Sequence, residues 1–285
     1  MKKKCTLILS LLLVLALLCA CGDAAETGKT ENTESAESAQ PVKIRVAASP
    51  TPHAEILAVA AEILAQEGYE LEIVEYDDYV QPNLVVDSGE LDANYFQHSP
   101  YLESFNAENG TQIVSVGLIH YEPFGIYAGK TASLEELPDG AEIIIPNDGS
   151  NETRALLLLQ QAGLIKLADG IDASSNATVY DIAENPKNLV ITEMDAAQLA
   201  RSLPDVDLAV INGNFALAAG LNAAEDALAV EDASGDAAQT YANLLGVKAG
   251  RENDPAIQAL LRALQSDQVR DFINENFGGA VVPIF

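Results

Sequence analysis

The feature that most constrains the fold is a repeated alternation of short apolar segments with amphipathic ones between Val42 and Phe285. Residues 43–48 and 141–145 have the length of buried strands, and each is followed by a segment with apolar residues at helical spacing. Strands that alternate with helices predict an α/β protein with largely parallel sheets. In open sheets of this kind ligands bind beyond the carboxyl ends of the strands, so the residues after each strand are candidates for a site.

The length and charge of the chain narrow its function. The body from Val42 to Phe285 is long enough to bury a large core and favours two lobes over one. The whole chain carries a formal charge of -28. This acidity argues against binding to nucleic acid, which needs a basic surface, and against electrostatic attachment to anionic lipid. We interpret most of the carboxylates as a solvated surface.

The start of the chain has the organisation of a secretory signal peptide. Three lysines at positions 2–4 precede an apolar run from Leu7 to Leu18, which is too short for a membrane span. The run ends in Leu18-Cys19-Ala20-Cys21, which resembles a bacterial lipobox. That resemblance implies cleavage before Cys21 and a lipid on its sulfur. An ordinary signal peptide with an incidental cysteine is the alternative interpretation.

The mature chain would then begin with a flexible tether. Residues 22–41 alternate acidic side chains with Ala, Thr, Ser and Gly, and no large apolar residue precedes Val42. Such a segment cannot bury enough surface to offset its ordering entropy. Cys21 would be the single remaining thiol, so the mature chain could form no internal disulfide and no multi-cysteine metal site.

Aromatic residues concentrate in the first half of the body. The densest stretch, residues 94–101, follows a predicted strand and contains Tyr95, Phe96, His98 and Tyr101. Tyrosine and histidine have an apolar body and a polar tip, which suits a small amphipathic ligand. Burial in the core is the alternative, and it is the interpretation that we prefer for three other rings, namely Tyr69, Tyr76 and Phe105.

Two further segments place polar groups after apolar strands. Residues 146–154 join a strand to a helix that Ser150 or Asn151 can cap, and they place Arg154 in the first turn, against the helix dipole. An arginine there can hold a carboxylate through two parallel hydrogen bonds. The alternative is an exposed arginine paired with Glu152 or Asp148. Asn212 and Asn214 follow a later predicted strand, residues 207–211, and could bind the polar groups of a ligand or simply form a turn.

Signals for catalysis are few. The sequence contains no Gly-x-Ser-x-Gly elbow and no His-Glu-x-x-His motif. Residues 125–131 look like a phosphate-binding loop but are one residue short and precede no clear helix. The three histidines, His53, His98 and His120, lack paired spacing, although a zinc site remains an alternative. We therefore expect no catalysis, no cofactor and no bound metal.

Motifs along the whole body carry a family resemblance. In order they are Pro52–Leu57, Asp78–Asn83, Leu91–His98, Ile145–Asp148, Arg154–Leu159, Glu184–Asn188, Ala197–Leu199 and Gly279–Pro283. The body resembles the NlpA-type methionine-binding lipoproteins of bacterial ABC importers. The resemblance implies a two-lobed periplasmic-binding-protein type II fold, in which each lobe is a mainly parallel sheet flanked by helices and the ligand cleft lies between the lobes. The implied organisation is a signal peptide at 1–20, a lipid-anchored tether at 21–41, lobe 1 at 42–124 plus 243–285, and lobe 2 at 125–242.

The resemblance also implies which residues bind the ligand. Tyr79, Phe96, His98 and Tyr101 would line a thioether pocket. Arg154 would hold the carboxylate and Asn212 the polar end of the amino acid. Secondary candidates are His120, Asn151, Glu193 and Asn214. The sequence departs from the family pattern at Thr153, where glycine is common, and at residues 213–215, where a Thr-Asn-Tyr type sequence is more usual.

The implied function is capture of L-methionine and its delivery to an ABC permease and its ATPase. The protein would be lipid-anchored on the extracytoplasmic face of the membrane, with a monomeric body. Alternatives are the same fold with D-methionine, a methionine dipeptide or another small amino acid, an adhesin or signalling lipoprotein, and an exported hydrolase with a histidine base. We expect Arg154→Ala to abolish binding and leave the fold intact, because a partly exposed cleft residue supports little core.

Overall fold

The computed structural model describes residues 40–232 and 236–285, which belong to one compact unit. The predicted signal peptide, Cys21 and nearly all of the tether lie outside these residues. The elements of the first part are β1 (Val42–Ala48), α1 (Glu55–Gln66), β2 (Tyr69–Glu75), α2 (Gln81–Asp87), β3 (Ala93–His98), α3 (Ser99–Asn109) and β4 (Ile113–Tyr121). Those of the middle part are β5 (Gly125–Ala128), β6 (Glu142–Pro146), α4 (Gly149–Gln161), β7 (Lys166–Leu167), β8 (Ile182–Glu184), β9 (Val190–Met194), α5 (Ala196–Ser202), β10 (Leu208–Ile211), α6 (Gly213–Ala218), α7 (Ala223–Asp226) and β11 (Ala227–Val230). The chain closes with α8 (Asp236–Thr240), β12 (Asn243–Lys248), α9 (Pro255–Leu264), α10 (Asp267–Asn276) and β13 (Val282–Pro283).

Within the described residues these elements build two large sheets, one in each lobe, and a small antiparallel sheet of β7 and β8. The six-stranded sheet has the order β13-β4-β12-β3-β1-β2, and the five-stranded sheet has the order β11-β5-β10-β6-β9. The α/β prediction with two lobes is thus confirmed. The lobe boundaries at residues 124 and 242 stay a prediction, with all strands of the five-stranded sheet falling between 125 and 230.

Both large sheets are mixed, which corrects the prediction that each would be mainly parallel. Strand β1 pairs in parallel with β2 and β3, and β6 pairs in parallel with β9 and β10. The pairs β12–β4, β12–β3, β5–β10 and β5–β11 are antiparallel. The antiparallel strands lie where the chain passes from one lobe to the other. Strand β4 leads out of the six-stranded sheet and β12 leads back into it, so the two run in opposite directions.

Continuous apolar runs in the central strands reflect burial on both faces. In β6, Ile143 and Ile145 pack on the side of α4, whereas Ile144 packs with α5 and α6 on the other side. In β1, Val46 packs against α1 and α9, whereas Ala47 faces α2 and α3. Side chains alternate across a strand, so a strand covered on both faces has no polar side. This explains why the sequence shows runs instead of alternation.

The first helix begins later than the sequence indicates. We expected Thr51 as the N-cap and Pro52 as the first helical residue. Instead Thr51 is extended, a tight turn spans Pro50–Ala54, and the regular helix begins at Glu55. A residue before proline is biased away from the helical region, which accounts for Thr51. The turn places His53 in the interior, where its side chain is 1% exposed.

No helix within residues 40–232 and 236–285 has the length and apolar character needed to cross a membrane.

Candidate functional site

A cavity lies at the carboxyl ends of β3 and β10, as the open-sheet rule predicts. It is lined by Tyr79, Phe96, Gln97, His98, Tyr101, Glu122, Asn151, Arg154, Asn212, Gly213, Asn214 and Asn243. The structure thus brings together the six leading sequence candidates and two of the secondary ones, Asn151 and Asn214. Sequence reasoning missed Gln97, Glu122 and Asn243. Glu122 follows β4 and Asn243 begins β12, where the chain passes between the lobes, and Gln97 lies near the end of β3; these positions are the signals that could have identified them.

One wall of the cavity is aromatic. Tyr79 packs against Phe96, Tyr101 and Phe215, with ring centroids 5.8, 5.6 and 5.0 Å away. The Tyr101 hydroxyl donates to the Tyr79 carbonyl at 3.0 Å, and the Tyr79 hydroxyl donates to Asn214 Oδ1 at 2.5 Å. These bonds satisfy the polar tips, so the rings can present apolar faces to the cavity.

Asn151 connects the two lobes across the cavity. Its side-chain oxygen accepts hydrogen bonds from His98 Nε2 at 3.1 Å and from Asn212 Nδ2 at 3.0 Å, and its amide nitrogen donates to Asp148. His98 Nδ1 accepts from the Tyr101 backbone, which leaves the proton on Nε2. Burial, with help from nearby Arg154, lowers the pKa of His98 to about 3, so this imidazole is neutral near pH 7.

Helix α4 begins differently from the sequence prediction. Asp148 is the N-cap, and its carboxylate accepts from the Asn151 backbone at 3.0 Å, so neither Ser150 nor Asn151 caps the helix. The helix begins at Gly149, which puts Arg154 in the second turn and not in the first. The premise of an arginine opposed to the helix dipole was therefore wrong, and the assignment of Arg154 to a ligand carboxylate stays a prediction.

Arg154 is buried among Glu122, Phe124, Glu231 and Tyr241. Its guanidinium lies 4.8 Å from the Phe124 ring centroid and 4.2 Å from that of Tyr241. Nε and Nη2 donate to the Glu231 carboxylate at 2.5 to 3.1 Å, and Nη2 also donates to the Glu122 carbonyl at 2.9 Å. Burial alone would lower the pKa of Arg154, but the charge and hydrogen bond of Glu231, together with Tyr121 and Tyr241, raise it. The alternative of an exposed arginine paired with Glu152 or Asp148 was wrong.

Glu122 is a buried carboxylate beside the arginine. His120 Nε2 lies 2.7 Å from Glu122 Oε1, His53 Nε2 lies 3.4 Å from the same oxygen, and His53 Nε2 also contacts Asn243 Oδ1 at 2.9 Å. Burial raises the pKa of Glu122 and lowers the pKa of His53 to about 4 and of His120 to about 3. The candidate His120 therefore lies behind the cavity wall and supports Glu122.

The same three residues could in principle hold a metal ion. His53, His120 and Glu122 each offer a ligand atom, and these atoms lie within 4.8 Å of one another. The 2.7 Å between His120 and Glu122 is a hydrogen-bond length, and the Nδ1 atom of His120 contacts the Tyr95 hydroxyl. We interpret the cluster as a hydrogen-bonded support for Glu122.

Gly213 explains one departure from the family pattern. A Cβ atom at this position would lie 2.6 Å from both Cβ and Oε2 of Glu122. Such a contact cannot be accommodated without moving one of the two residues. The glycine therefore permits the observed approach of Glu122 to the start of α6, where the Asn214 backbone donates to its carboxylate.

Glu193 lies away from the cavity. This candidate is an exposed residue on β9, the edge strand of its sheet, and it hydrogen-bonds Glu152 of α4. Burial, followed by the hydrogen bond and charge of Glu193, raises the pKa of Glu152 from 4.5 to about 8. Two carboxyl groups that share one proton cannot both ionise cheaply.

We expect this pair to make stability depend on pH. The native state holds the shared proton up to about pH 8, whereas the unfolded chain loses it near 4.5. The contribution is thus fully present below pH 4.5 and is lost as pH rises through 8. Glu152→Gln keeps an acceptor for the Val179 amide and should raise the melting temperature relative to wild type increasingly from pH 5 to pH 8.5. Thermal unfolding from pH 5 to pH 8.5 tests this prediction, with the exposed Glu135→Gln as control. A difference in melting temperature between Glu152→Gln and wild type that is the same at every pH would contradict it.

Comparisons with known proteins agree with this architecture. The model of the NlpA lipoprotein family matches residues 44–285. The methionine-binding lipoprotein MetQ of Bacillus subtilis is 40% identical over 281 residues, covering 96% of this chain and 97% of the relative. The D-methionine-binding lipoprotein MetQ of Escherichia coli is 39% identical over 245 residues, covering 85% and 88%.

A solved structure of a relative has the same fold. A nutrient-binding protein from Burkholderia cenocepacia, whose structure is described as bound to methionine, is 48% identical. It superposes with a TM-score of 0.81 and covers 85% of this chain and 100% of its own. The type II binding-protein fold is thereby confirmed. The protein belongs to the NlpA lipoprotein family.

Proposed function

We propose that the protein captures L-methionine between its two lobes and delivers it to an ABC permease. The observation that carries this proposal is one cavity that joins an aromatic wall to a buried arginine and a buried carboxylate. An amino acid with an apolar side chain has the matching groups: a carboxylate, an ammonium group and a hydrophobic tail. The relatives named for methionine support the choice of ligand.

In this proposal the thioether packs on the aromatic wall of Tyr79, Phe96 and Tyr101, which adds sulfur–aromatic contact to apolar burial. The carboxylate binds Arg154, and the ammonium group binds Glu122. Both charged ends are then paired, which offsets their desolvation. The neutral groups of His98, Asn151, Asn212, Asn214 and Asn243 complete the hydrogen bonds. No step requires covalent chemistry, so the protein acts as a binding protein and not as an enzyme.

Binding would favour the closed arrangement. Contacts such as His98 with Asn151 and Tyr79 with Asn214 join residues of the two lobes. A ligand that touches both lobes stabilises the state in which these contacts exist, because it binds that state better. The closed surface would then be recognised by the permease, with its ATPase on the cytoplasmic side. A lipid on Cys21 would hold the monomeric body at the extracytoplasmic face of the membrane.

A thermal-unfolding panel tests the proposal. The purified protein is first unfolded and refolded to remove ligand carried from expression. We expect L-methionine at about 100 times its Kd to add about 2.7 kcal/mol of stability, a rise of several degrees in Tm. D-Methionine, methionine dipeptides and the other common amino acids are the comparison arms. A shift with one of these alone would change the ligand, and no shift with any amino acid would contradict the binding function.

A further inference from the structure

Glu231 has a place in the site that ligand contact does not explain. It follows β11 and its side chain is 10% exposed, yet it is not among the residues that line the cavity. Its carboxylate accepts from Arg154 and from the Tyr121 hydroxyl, the latter at 2.5 Å. A mostly buried carboxylate thus holds the very arginine that the amino-acid ligand would use.

The hydrogen bonds of Arg154 show which edge remains for a ligand. Nε donates to both oxygens of Glu231 at 3.0 and 3.1 Å, and Nη2 donates to Glu231 and to the Glu122 carbonyl. Within residues 40–232 and 236–285, Nη1 donates no hydrogen bond. The guanidinium carbon also lies 4.8 Å from the ring centroid of Phe124 and 4.2 Å from that of Tyr241. Nη1 is therefore the nitrogen that a ligand carboxylate can use without displacing these hydrogen bonds.

The charged groups at the cavity also favour a ligand that carries both a positive and a negative charge. Among the residues lining the cavity, Arg154 carries the positive charge and Glu122 the carboxylate, while His98 is neutral. Glu231 cancels the charge of Arg154 from behind. A ligand that brings only a carboxylate then finds a guanidinium whose charge is already balanced, and it leaves Glu122 without a cation. A zwitterion satisfies both groups.

We propose that Glu231 is a positioning and specificity residue, which orients Arg154 and makes the cavity select zwitterionic amino acids over anionic analogues that lack the amino group. This inference rests on the proposed amino-acid binding. It assigns to Glu231 an effect on the rank order of ligands, which a residue that merely supports the fold would not have.

The test compares Glu231→Gln with wild type for three ligands by calorimetric titration. They are L-methionine, 4-(methylthio)butanoate, which lacks the ammonium group, and 3-(methylthio)propylamine, which lacks the carboxylate. Glutamine keeps the size and one acceptor but removes the charge. We expect the butanoate to bind about 10-fold more tightly in the variant and the amine about 10-fold more weakly, since one buried charge is removed.

The control is Tyr121→Phe, which loosens Glu231 but keeps its charge, and which should weaken all three ligands in parallel. Parallel losses in Glu231→Gln as well would overturn the specificity role while leaving amino-acid binding in place. Absence of L-methionine binding in wild type would instead overturn the proposed function, and this inference with it.

If Glu231→Gln does not fold, Glu231→Asp withdraws the carboxylate from Arg154. Glu231→Asp should then shift the relative affinities of the three ligands in the same direction by a smaller factor. Unchanged relative affinities in Glu231→Asp would overturn the proposal.

Discussion

Arg154→Ala is expected to abolish amino-acid binding and also to destabilise the protein by about 3 kcal/mol, because it leaves the mostly buried carboxylate of Glu231 without its partner. Arg154 is 4% exposed and holds Glu231 through three hydrogen bonds. The sequence-based expectation of an intact fold rested on partial exposure, which the structure contradicts. A loss of binding in this single variant would therefore mix two causes.

A double variant separates them. Arg154→Met with Glu231→Gln removes both charges together and should recover most of the lost stability, since no unpaired charge remains. It should still fail to bind L-methionine. Urea unfolding measures the first quantity and calorimetric titration the second, with the exposed Arg262→Ala as control. An affinity in Arg154→Ala within twofold of wild type would refute the carboxylate assignment. A double variant as unstable as the single one would refute the charge argument.

Asn83→Ala is expected to cost about 3 kcal/mol of stability, because it leaves buried amide groups of its neighbours unpaired. Asn83 Oδ1 accepts from Asn94 at 2.8 Å and from Gln97 at 2.7 Å, and its Nδ2 donates to Gln97 Oε1 at 2.9 Å. The exposed fractions of these three side chains are 0%, 0% and 3%. Gln97 also lines the cavity, so the loss should weaken ligand binding as well.

Chemical unfolding of Asn83→Ala measures the effect directly. The matched control is Asn109→Ala, which removes an exposed amide that bonds the Phe105 carbonyl of its own helix. We expect the control to change stability by no more than about 0.5 kcal/mol, as surface substitutions usually do. If both variants lost the same small amount, the amide triad would not be a structural support of the cavity wall.

The aromatic wall and the arginine could be predicted because their signals are local. Phe96, His98 and Tyr101 lie at or just after the end of β3, and Arg154 follows β6, so the rule for open sheets points to both. Glu122 and Asn243 were not predicted because each is a single polar residue where the chain passes between the lobes, without a motif of its own. Glu193 was a wrong candidate for the cavity: it lies on a strand like the others, but that strand is at the edge of its sheet.

The alternation of apolar strands and amphipathic helices by itself determined the α/β class, because each element must bury its apolar face. It also indicated the strand ends at which polar and aromatic residues meet. Only the tertiary structure decided the partner of Arg154. Glu231 lies 77 residues away in the sequence, and the pairing of β11 with β5 brings it close to Arg154. The same is true of the neutral state of His98 and the raised pKa of Glu122, because burial sets them and no local pattern encodes burial beside a crossover.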